Sequence, residues 1–379
     1  MAATANKTSG IPNDILIDIL SRLPVKSLKR FQCIQKSWCS LIQHENFVAV
    51  HLDKFTHDKN NASVILKQHI FENREDILYL LSSDDQTHYQ IVARLDLPPN
   101  FAEVDSYYID PPFLCGSVNG IICIWDHRKV GLWNPATREF KLLPEDTDCP
   151  FGHQHYYKGY GFGYDARRHD YKVIKSLHYC ENESEEGCSC NSNLVVKIYS
   201  LRSNSWRILE TGFTTGEDGY GAHVCLNGMC HWWGVHNNDQ GWEVETLLSF
   251  DMSNEVFHKT ELPDYETQLP TRFVDMNGSI TCIKQDLEKQ CFDVWELGEI
   301  GVKDSWKKLF TVGPFPNVNV YFLGLGKNTE FFFVQIGEDE VTWYDPAAAD
   351  NVPMFIGIKG NPNFSKITNY TESLVSVHN

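Results

Sequence analysis

The sequence lacks any segment that would carry the chain into or across a membrane. Its first ten residues hold no apolar core of signal-peptide length. It also has no run of about eighteen apolar residues. We therefore expect the protein in the cytoplasm or the nucleus. Its 12 cysteines are scattered, several of them within apolar strand-like runs, which favours buried free thiols over a disulfide framework.

A basic excess is also missing. The chain has 33 Lys and Arg against 50 Asp and Glu, and its net charge is −17. The first 50 residues carry +3, so the remainder carries −20. Phosphate binding needs a basic surface, so this balance argues against nucleic acid as a ligand. An acidic surface suits a basic protein partner, or serves solubility alone.

Motifs for catalysis and cofactor binding are absent too. The sequence has no G-x-S-x-G, no phosphate loop and no H-E-x-x-H. Cys230 and His231 are adjacent, so on a strand they would point to opposite faces and could not form a nucleophile–base pair. One group of metal-coordinating residue types comprises Cys149, His153, His155, His178, Cys180, Cys188 and Cys190. Its spacing fits no compact zinc module, and we predict no catalytic residue, metal or cofactor.

Helical patterns are concentrated in residues 11–52. Pro12 suits the first turn of a helix, and Leu23-Pro24 would end that helix. An apolar stripe lies along one side of it and consists of Ile15, Leu16, Ile19, Leu20 and Leu23. A second short helix carries Leu28, and a third carries Trp38. Three short helices cannot bury this much apolar surface among themselves, so part of it should meet another protein.

From about residue 62 onward the pattern becomes one of strands and turns. Asn119-Gly120, Asn227-Gly228 and Asn277-Gly278 each lie between apolar strands, the strongest short-range signal for a hairpin. The last two are 50 residues apart, and the Ser-Trp pairs at 205 and 305 are 100 apart. A period near 50 residues predicts a kelch-like β-propeller with about six irregular blades.

The predicted blades can be placed along the chain. They cover 62–97, 113–143, 159–209, 221–258, 271–311 and 319–357. A final strand near 367–376 would pair back to close the ring. An irregular β-sandwich built of hairpins is the alternative, because it would give a similar alternation.

The helical segment resembles a known family, the F-box. The matching motifs are Ile11-Pro12-x-Asp14, Ile19-Leu20-x-Arg22-Leu23-Pro24, Lys26-Ser27-Leu28-x-Arg30-Phe31, Cys33-Ile34 and Lys36-Ser37-Trp38 with Leu41-Ile42. The resemblance implies docking onto an acidic Skp-type adaptor, and through it onto a cullin and a RING protein. The implied adaptor contacts, or their immediate support, are Pro12, Ile15, Leu16, Ile19, Leu20, Leu23, Pro24, Leu28 and Trp38. The alternative is a small helical domain that packs only on its own C-terminal part.

The strand region resembles the F-box-associated domain of plant F-box proteins. The resemblance rests on LWNPATREFKLLP, GFGYD, VKIYSLRSNSWR, LLSFDMSNEVFHKTELP and DSWKKLFTVGP. This combination is similar to the S-locus F-box and S-locus F-box-like subgroup, whose members act in pollen self-incompatibility as receptors for basic ribonucleases, the S-RNases. The expected division is a disordered N-terminus at 1–8, the F-box at 9–52 and the propeller at 53–379.

These resemblances imply a non-catalytic substrate-recognition subunit of a Skp-cullin-F-box ubiquitin ligase. Its β domain would bind a target protein for ubiquitination and proteasomal degradation, with S-RNase as the first candidate. One alternative keeps this role with an unrelated regulatory or immune protein as target. Another is a propeller-fold enzyme or sugar-binding module with a vestigial F-box. The lack of a convergent acid–base set argues against that second alternative.

Three acidic segments are candidates for target binding. The segment 181–192 is too polar to pack in a core and would form a loop, which is either an acidic contact for a basic target or a solvated insertion. Two other acidic stretches occupy loop-like positions. The candidate residues are Glu181, Glu183, Glu185, Glu186, Glu145, Asp146, Asp148, Glu338, Asp339 and Glu340.

Overall fold

The computed structural model consists of an N-terminal helical segment followed by six four-stranded antiparallel sheets. The propeller prediction is confirmed, and the β-sandwich alternative is wrong. The structure describes residues 12–57, 62–70, 75–83, 89–102, 112–126, 129–146, 155–179, 193–210, 224–237, 240–241, 243–263, 271–315, 320–335, 337, 339–348, 353–361 and 364–378. The predicted disordered stretch 1–8 lies outside these ranges.

The helical segment contains four helices rather than three. They are α1 (Asn13–Leu20), α2 (Val25–Phe31), α3 (Lys36–Gln43) and α4 (Glu45–His57). Helix α4 continues past residue 52 because Phe47, His51 and Phe55 recur at every fourth position and are all buried. The ring of His51 stacks on Phe55 with 4.2 Å between centroids, and its Nε2 lies 3.0 Å from the carbonyl oxygen of Leu23. Another short helix, α5 (Pro99–Ala102), precedes the second blade.

Each blade takes four strands. The bounds are β1 (Ala62–Ile70), β2 (Glu75–Ser83), β3 (Tyr89–Leu95), β4 (Phe113–Val118), β5 (Ile121–Trp125), β6 (Val130–Asn134), β7 (Glu139–Leu142), β8 (His155–Asp165), β9 (Asp170–Tyr179), β10 (Asn193–Ser200), β11 (Ser205–Leu209), β12 (Val224–Leu226), β13 (Met229–Asn237), β14 (Glu243–Asp251), β15 (Val256–Glu261), β16 (Thr271–Met276), β17 (Ser279–Asp286), β18 (Cys291–Leu297), β19 (Trp306–Val312), β20 (Val320–Leu325), β21 (Phe331–Gln335), β22 (Glu340–Tyr344), β23 (Met354–Lys359) and β24 (Lys366–Thr371). A 3₁₀ turn at Lys303–Ser305 precedes β19.

The three Asn-Gly pairs form the predicted hairpins. Each joins the first strand of a blade to its second strand, and both residues of each pair have positive φ. At the first of them φ is 52° for Asn119 and 77° for Gly120. This is the type I′ conformation, which matches the twist of the two strands it joins.

A second kind of turn recurs between paired strands. At Asn134, Asp165, Asp251 and Asp286 a side-chain oxygen accepts the backbone N–H groups two and three residues ahead. The fourth residue after each of them has positive φ, as in Arg138 with 60°. The side chain thus satisfies backbone donors in the turn while the chain reverses between two paired strands.

The last strand closes the ring. Strand β24 pairs antiparallel with β1, with Thr371 opposite Ala62 and Lys366 opposite Lys67. It takes the position beside the axis in a sheet whose order is β24-β1-β2-β3. The first and last strands of the propeller therefore belong to the same blade, as the sequence predicts.

Glycine allows close packing between neighbouring blades. A Cβ atom on Gly161 would lie 2.6 Å from the ring of Trp232, and one on Gly163 would lie 2.8 Å from Met252. Nearby, the ring of Trp125 stacks on Tyr160 with 4.4 Å between centroids. The GFG motif therefore serves packing between blades.

The propeller has two distinguishable faces. Every blade is a meander that starts beside the axis, so the six inner strands, β4, β8, β12, β16, β20 and β24, all run in the same direction. We call the face where these strands end the F-box face, because Ala136 after β6 and Leu374 after β24 both pack on the helical segment. The face where the inner strands begin is the open face.

Candidate adaptor surface and target-binding face

The helical segment builds a small core that includes part of the propeller. Its fully buried members are Leu20, Val25, Leu28, Ile42, Phe47 and Leu374. Leu16, Leu23 and Trp38 are partly buried and pack against this core. The ring of Trp38 also meets Phe31 edge-on at 5.4 Å. The F-box is therefore held by apolar contacts with the chain that follows the last propeller strand.

Apolar side chains remain exposed on the helices. Ile15 and Ile19 lie one turn apart on α1 and are 52 % and 47 % exposed, and Ile34, between α2 and α3, is 63 % exposed. Exposed aliphatic residues at positions i and i+4 share one side of a helix. Helix α1 thus presents an apolar surface that nothing else in the described chain covers.

The predicted adaptor residues divide by their position in the structure. Pro12, Ile15, Ile19 and Pro24 are exposed. Leu20 and Leu28 lie in the core with Ile42, Phe47 and Leu374, so among the predicted contacts and supporting residues these two have the position of support. Leu16, Leu23 and Trp38 lie between these two groups, partly buried on the core.

Polar contacts also fix the F-box to the propeller. The carboxylate of Glu372, just after β24, accepts the backbone N–H of Val25 at the start of α2. The ammonium of Lys29 lies 3.4 Å from the carboxylate of Glu139 on β7. Together with the contacts of Leu374 and Ala136, these bonds fix the direction in which α1 faces.

Those acidic candidates that the structure describes lie on the open face by topology. Glu145 and Asp146 follow β7, and Asp339 and Glu340 lie between β21 and β22. Strands β9 and β10, which flank the segment 181–192, also have their shared ends on this face. The predicted residues Glu181, Glu183, Glu185, Glu186, Asp148 and Glu338 lie outside the described residues.

Asp146 is committed to a contact inside the protein. Its carboxylate lies 2.7 Å from the ammonium of Lys197 and 2.8 Å from that of Lys175, and its side chain is only 11 % exposed. Burial alone would raise the pKa of Asp146, but the hydrogen bonds from Lys175 and Lys197 hold it below its ordinary value. A target would find Glu145 and Asp339 exposed here, whereas the charge of Asp146 is already compensated.

Comparison with protein families matches both parts of the chain. Residues 9–49 match the F-box domain, and residues 103–377 match the F-box associated beta propeller domain. The chain belongs to the F-box proteins that carry this propeller domain. Proteins that combine an F-box with this propeller are non-catalytic substrate-binding subunits of Skp-cullin-F-box ligases. The F-box implies binding of a Skp-type adaptor.

Relatives from Arabidopsis thaliana agree with this assignment. F-box protein CPR1 is 26 % identical over 361 residues, which cover 88 % of this chain and 82 % of that protein. An F-box/kelch-repeat protein is 27 % identical over 317 residues, which cover 80 % of this chain and 79 % of the relative. F-box/WD-40 repeat-containing protein 1 is 24 % identical and covers 82 % of this chain. The resemblance to plant F-box proteins is confirmed, and the S-locus subgroup stays a prediction.

Other kinds of site are not found in the described part of the chain. No described helix is long and apolar enough to cross a membrane. The described residues contain no cluster of metal-ligating side chains. The side chains of the seven candidate Cys and His residues lie outside the described part of the chain. Cys123, Cys230 and Cys282 are buried free thiols, as their apolar surroundings in the sequence predict, whereas Cys225, in a similar run, is only partly buried.

Proposed function

We propose that this protein is the substrate receptor of a cytoplasmic or nuclear Skp-cullin-F-box ubiquitin ligase. Its F-box holds the adaptor, and the open face of its propeller holds the target. The observation that carries the proposal is the exposed pair Ile15 and Ile19 on α1, mounted on the face opposite the loops of the open face. In this arrangement the adaptor and a target can be bound together without overlap, and ubiquitin transfer gains from proximity.

The target we propose is a basic protein, with S-RNase as the first candidate. The chain outside residues 1–50 carries −20, and Glu145 and Asp339 are exposed on the open face. Opposite charges across an interface speed association and disfavour partners of the wrong charge. The sequence similarity to S-locus F-box proteins supports the same candidate.

The adaptor surface can be tested by reversing its polarity. Ile15→Asp with Ile19→Asp should abolish co-purification with a plant Skp-type adaptor, because the interface would bury two unpaired carboxylates. The fold should survive, since both side chains are already exposed. A matched control is Ile208→Asp with Val256→Asp, whose residues are 48 % and 47 % exposed on outer strands of the propeller. The control should bind the adaptor at wild-type yield.

Two results would contradict the proposal. One is recovery of the Ile15→Asp, Ile19→Asp protein with the adaptor at wild-type yield. The other concerns the target, because a ligase reconstituted with this receptor should ubiquitinate an S-RNase, and failure to do so would contradict the choice of target. Ubiquitination of other captured proteins but of no S-RNase would assign the receptor to a different target and leave its place in the ligase unchanged.

A further inference from the structure

A central channel follows the axis of the propeller. It encloses a cavity of about 610 Å³, lined by residues of the inner strands. Cavities of roughly 300–1,000 Å³ are typical of small-molecule sites. The volume of the cavity therefore fits a small metabolite, and the side chains that line the cavity determine which kind of molecule can bind there.

Cationic and aromatic side chains line one end of this channel. Lys366 is the first residue of β24, Arg272 the second of β16 and Tyr321 the second of β20. Because all inner strands begin at the open face, these three residues share that end of the channel. Asp275 lies towards the other end of β16, where its carboxylate accepts the N–H of Gly278 at 2.8 Å.

Arg272 is held in place by neutral groups. Its guanidinium carbon lies 5.4 Å from the ring centroid of Tyr321, and it donates to the hydroxyl oxygen of Tyr321 and the carbonyl oxygen of Thr271. Within the described ranges, no carboxylate forms an ion pair with Arg272. Its orientation is thus fixed while its positive charge is uncompensated by the described residues, as expected for a group that receives an anion.

Lys366 adds a second positive charge at the same place. Its ammonium donates to the carbonyl oxygen of Leu114 at 3.0 Å. Burial lowers the pKa of Lys366, and the positive charge of nearby Arg272 lowers it further. Lys67 also lines the cavity, and its ammonium lies 2.8 Å from the carboxylate of Asp76. A bound anion would relieve the repulsion between Arg272 and Lys366.

Aromatic rings stand beside these cations. The centroids of Phe113 and Phe364 are 6.3 Å apart, and both rings line the cavity with Tyr321. Phe113 begins β4, so it too lies at the open-face end. An apolar body could pack on these rings while its charged group reaches Arg272.

We propose that the open-face end of the channel binds a small organic acid. Its carboxylate lies on Arg272 and Lys366, and its aromatic or aliphatic body lies against Phe113, Phe364 and Tyr321. Residues of five inner strands, β4, β12, β16, β20 and β24, line the site, which favours a free acid over an acidic side chain of a target protein. The ligand would occupy the axis of the face that we assign to target binding, so receptor and ligand could present one composite surface.

Ligand-observed saturation-transfer NMR on the full chain bound to its adaptor tests this site. The probes are phenylacetate, the neutral phenylacetamide, the cationic phenethylamine and a short blocked acidic peptide. We expect phenylacetate to bind at least about tenfold more tightly than phenylacetamide, because charge-assisted hydrogen bonds to a carboxylate are worth about 1.5–3 kcal/mol. Phenethylamine should give no signal, and the peptide should bind more weakly than phenylacetate.

Variants locate the binding. Arg272→Gln and Lys366→Met should each weaken phenylacetate binding about tenfold. The matched control is Arg94→Gln. It removes an exposed arginine of the outer strand β3, which pairs with Glu75, and it should leave binding unchanged. Equal binding of acid and amide, tighter binding of the peptide, or wild-type affinity in Arg272→Gln would each overturn the proposal. The comparison of probes uses the wild-type protein, so it stands even if a channel variant misfolds. It involves no target, so its failure would leave the receptor role intact.

Discussion

The carboxylate of Glu372 accepts the backbone N–H of Val25 at 2.9 Å, across 347 positions of the chain. The first N–H groups of a helix have no partner within the helix, and Pro24 before α2 offers no side-chain cap. A negative charge at this end also meets the positive end of the helix dipole. Burial raises the pKa of Glu372, whereas the bond from Val25 lowers it. The chain after the last propeller strand thus completes a helix of the F-box.

Removing this acceptor should loosen the F-box from the propeller. Glu372→Ala leaves a part-buried N–H without its partner, which costs about 1–3 kcal/mol. We expect faster hydrogen exchange at the amides of α1 to α3, with the propeller strands unchanged. Glu372→Gln keeps an acceptor at the same place and should stay near wild type. Equal exchange in the Ala and wild-type proteins would show that the apolar contacts of Leu374 suffice for this attachment.

A buried ion pair connects two blades and should matter for stability. The ammonium of Lys172 lies 2.7 Å from the carboxylate of Asp165 and 2.9 Å from that of Glu255 in the next blade. Burial alone would raise the pKa of Asp165, but hydrogen bonds from Lys172 and Arg168 hold it well below its ordinary value. Lys172→Met should lower the unfolding free energy by about 1–3 kcal/mol in urea titrations, because the buried carboxylate of Asp165 loses its shortest hydrogen bond and keeps only Arg168 as a cationic partner.

The control for this variant is an exposed ion pair of similar length. Lys289 lies 2.8 Å from Asp286, but its side chain is 76 % exposed. Lys289→Met should cost less than about 1 kcal/mol, since solvent screens the attraction. Equal losses in the two variants would mean that the contact between blades at Lys172 has no special role.

His231 predicts a loss of stability in mild acid. It is buried on β13, and its Nδ1 lies 2.8 Å from the hydroxyl of Ser249. Burial lowers the pKa of His231 from 6.5 to about 4, so the unfolded state takes up a proton more readily. Its contribution to stability is complete above pH 6.5 and declines as the pH falls towards 4. We expect the unfolding free energy to be lower by about 2 kcal/mol at pH 5 than at pH 7 on its account.

Substitution separates this histidine from other titrating groups. His231→Gln should flatten the pH dependence of urea unfolding between pH 7 and pH 5. His258→Gln, which replaces an exposed histidine on β15, should leave that dependence unchanged. A His231→Gln profile as steep as that of the wild type would assign the acid sensitivity to other residues.

Charge should govern the rate of target binding. Replacing Glu181, Glu183, Glu185 and Glu186 by Ser should slow association and leave thermal stability and adaptor binding unchanged. Raising the salt concentration to about 0.5 M should slow the wild-type protein likewise, because surface attraction is screened within a Debye length. Stopped-flow or surface-binding kinetics with a basic target would measure both effects.

Acidic residues on the other face supply the control. Glu299 and Asp304 are exposed in the connection between β18 and β19, which lies on the F-box face. Glu299→Ser with Asp304→Ser should leave target association unchanged. If the two sets slow binding equally, net charge matters rather than its location. An unaltered rate in the quadruple Ser variant would shift attention to exposed Glu145 and Asp339.

The blades could be predicted because their signals are local. An Asn-Gly pair between two apolar runs specifies a hairpin within about ten residues, and the turn at Asn119 forms as the pair predicts. Helix α4 was not predicted, because its apolar stripe includes a histidine, His51, which becomes a packing residue only beside Leu23 and Phe55. Local patterns thus predicted the Asn-Gly hairpins correctly but missed α4, because the buried stripe of that helix is partly polar.

The site residues depended on contacts between distant parts of the chain. The resemblance to the F-box assigns Leu20 and Ile19 the same role. Only the packing of Leu374 against the helices shows that Leu20 belongs to the core and Ile19 to the surface. Asp146 reads as a surface charge until Lys175 and Lys197 are brought beside it from the next blade. These contacts depend on how the blades are arranged around the axis, which no local pattern encodes.

The pairing of β24 with β1 has a consequence for synthesis. A ribosome produces the F-box and β1 first and Lys366–Thr371 about 300 residues later. Until that strand emerges, β1 lacks its neighbour at the axis, and Glu372 and Leu374 are not yet present to hold α2. A message truncated before this point would yield a receptor whose ring is open and whose F-box is unsupported. Closure of the ring and support of α2 are thereby completed together, by the same short stretch of chain.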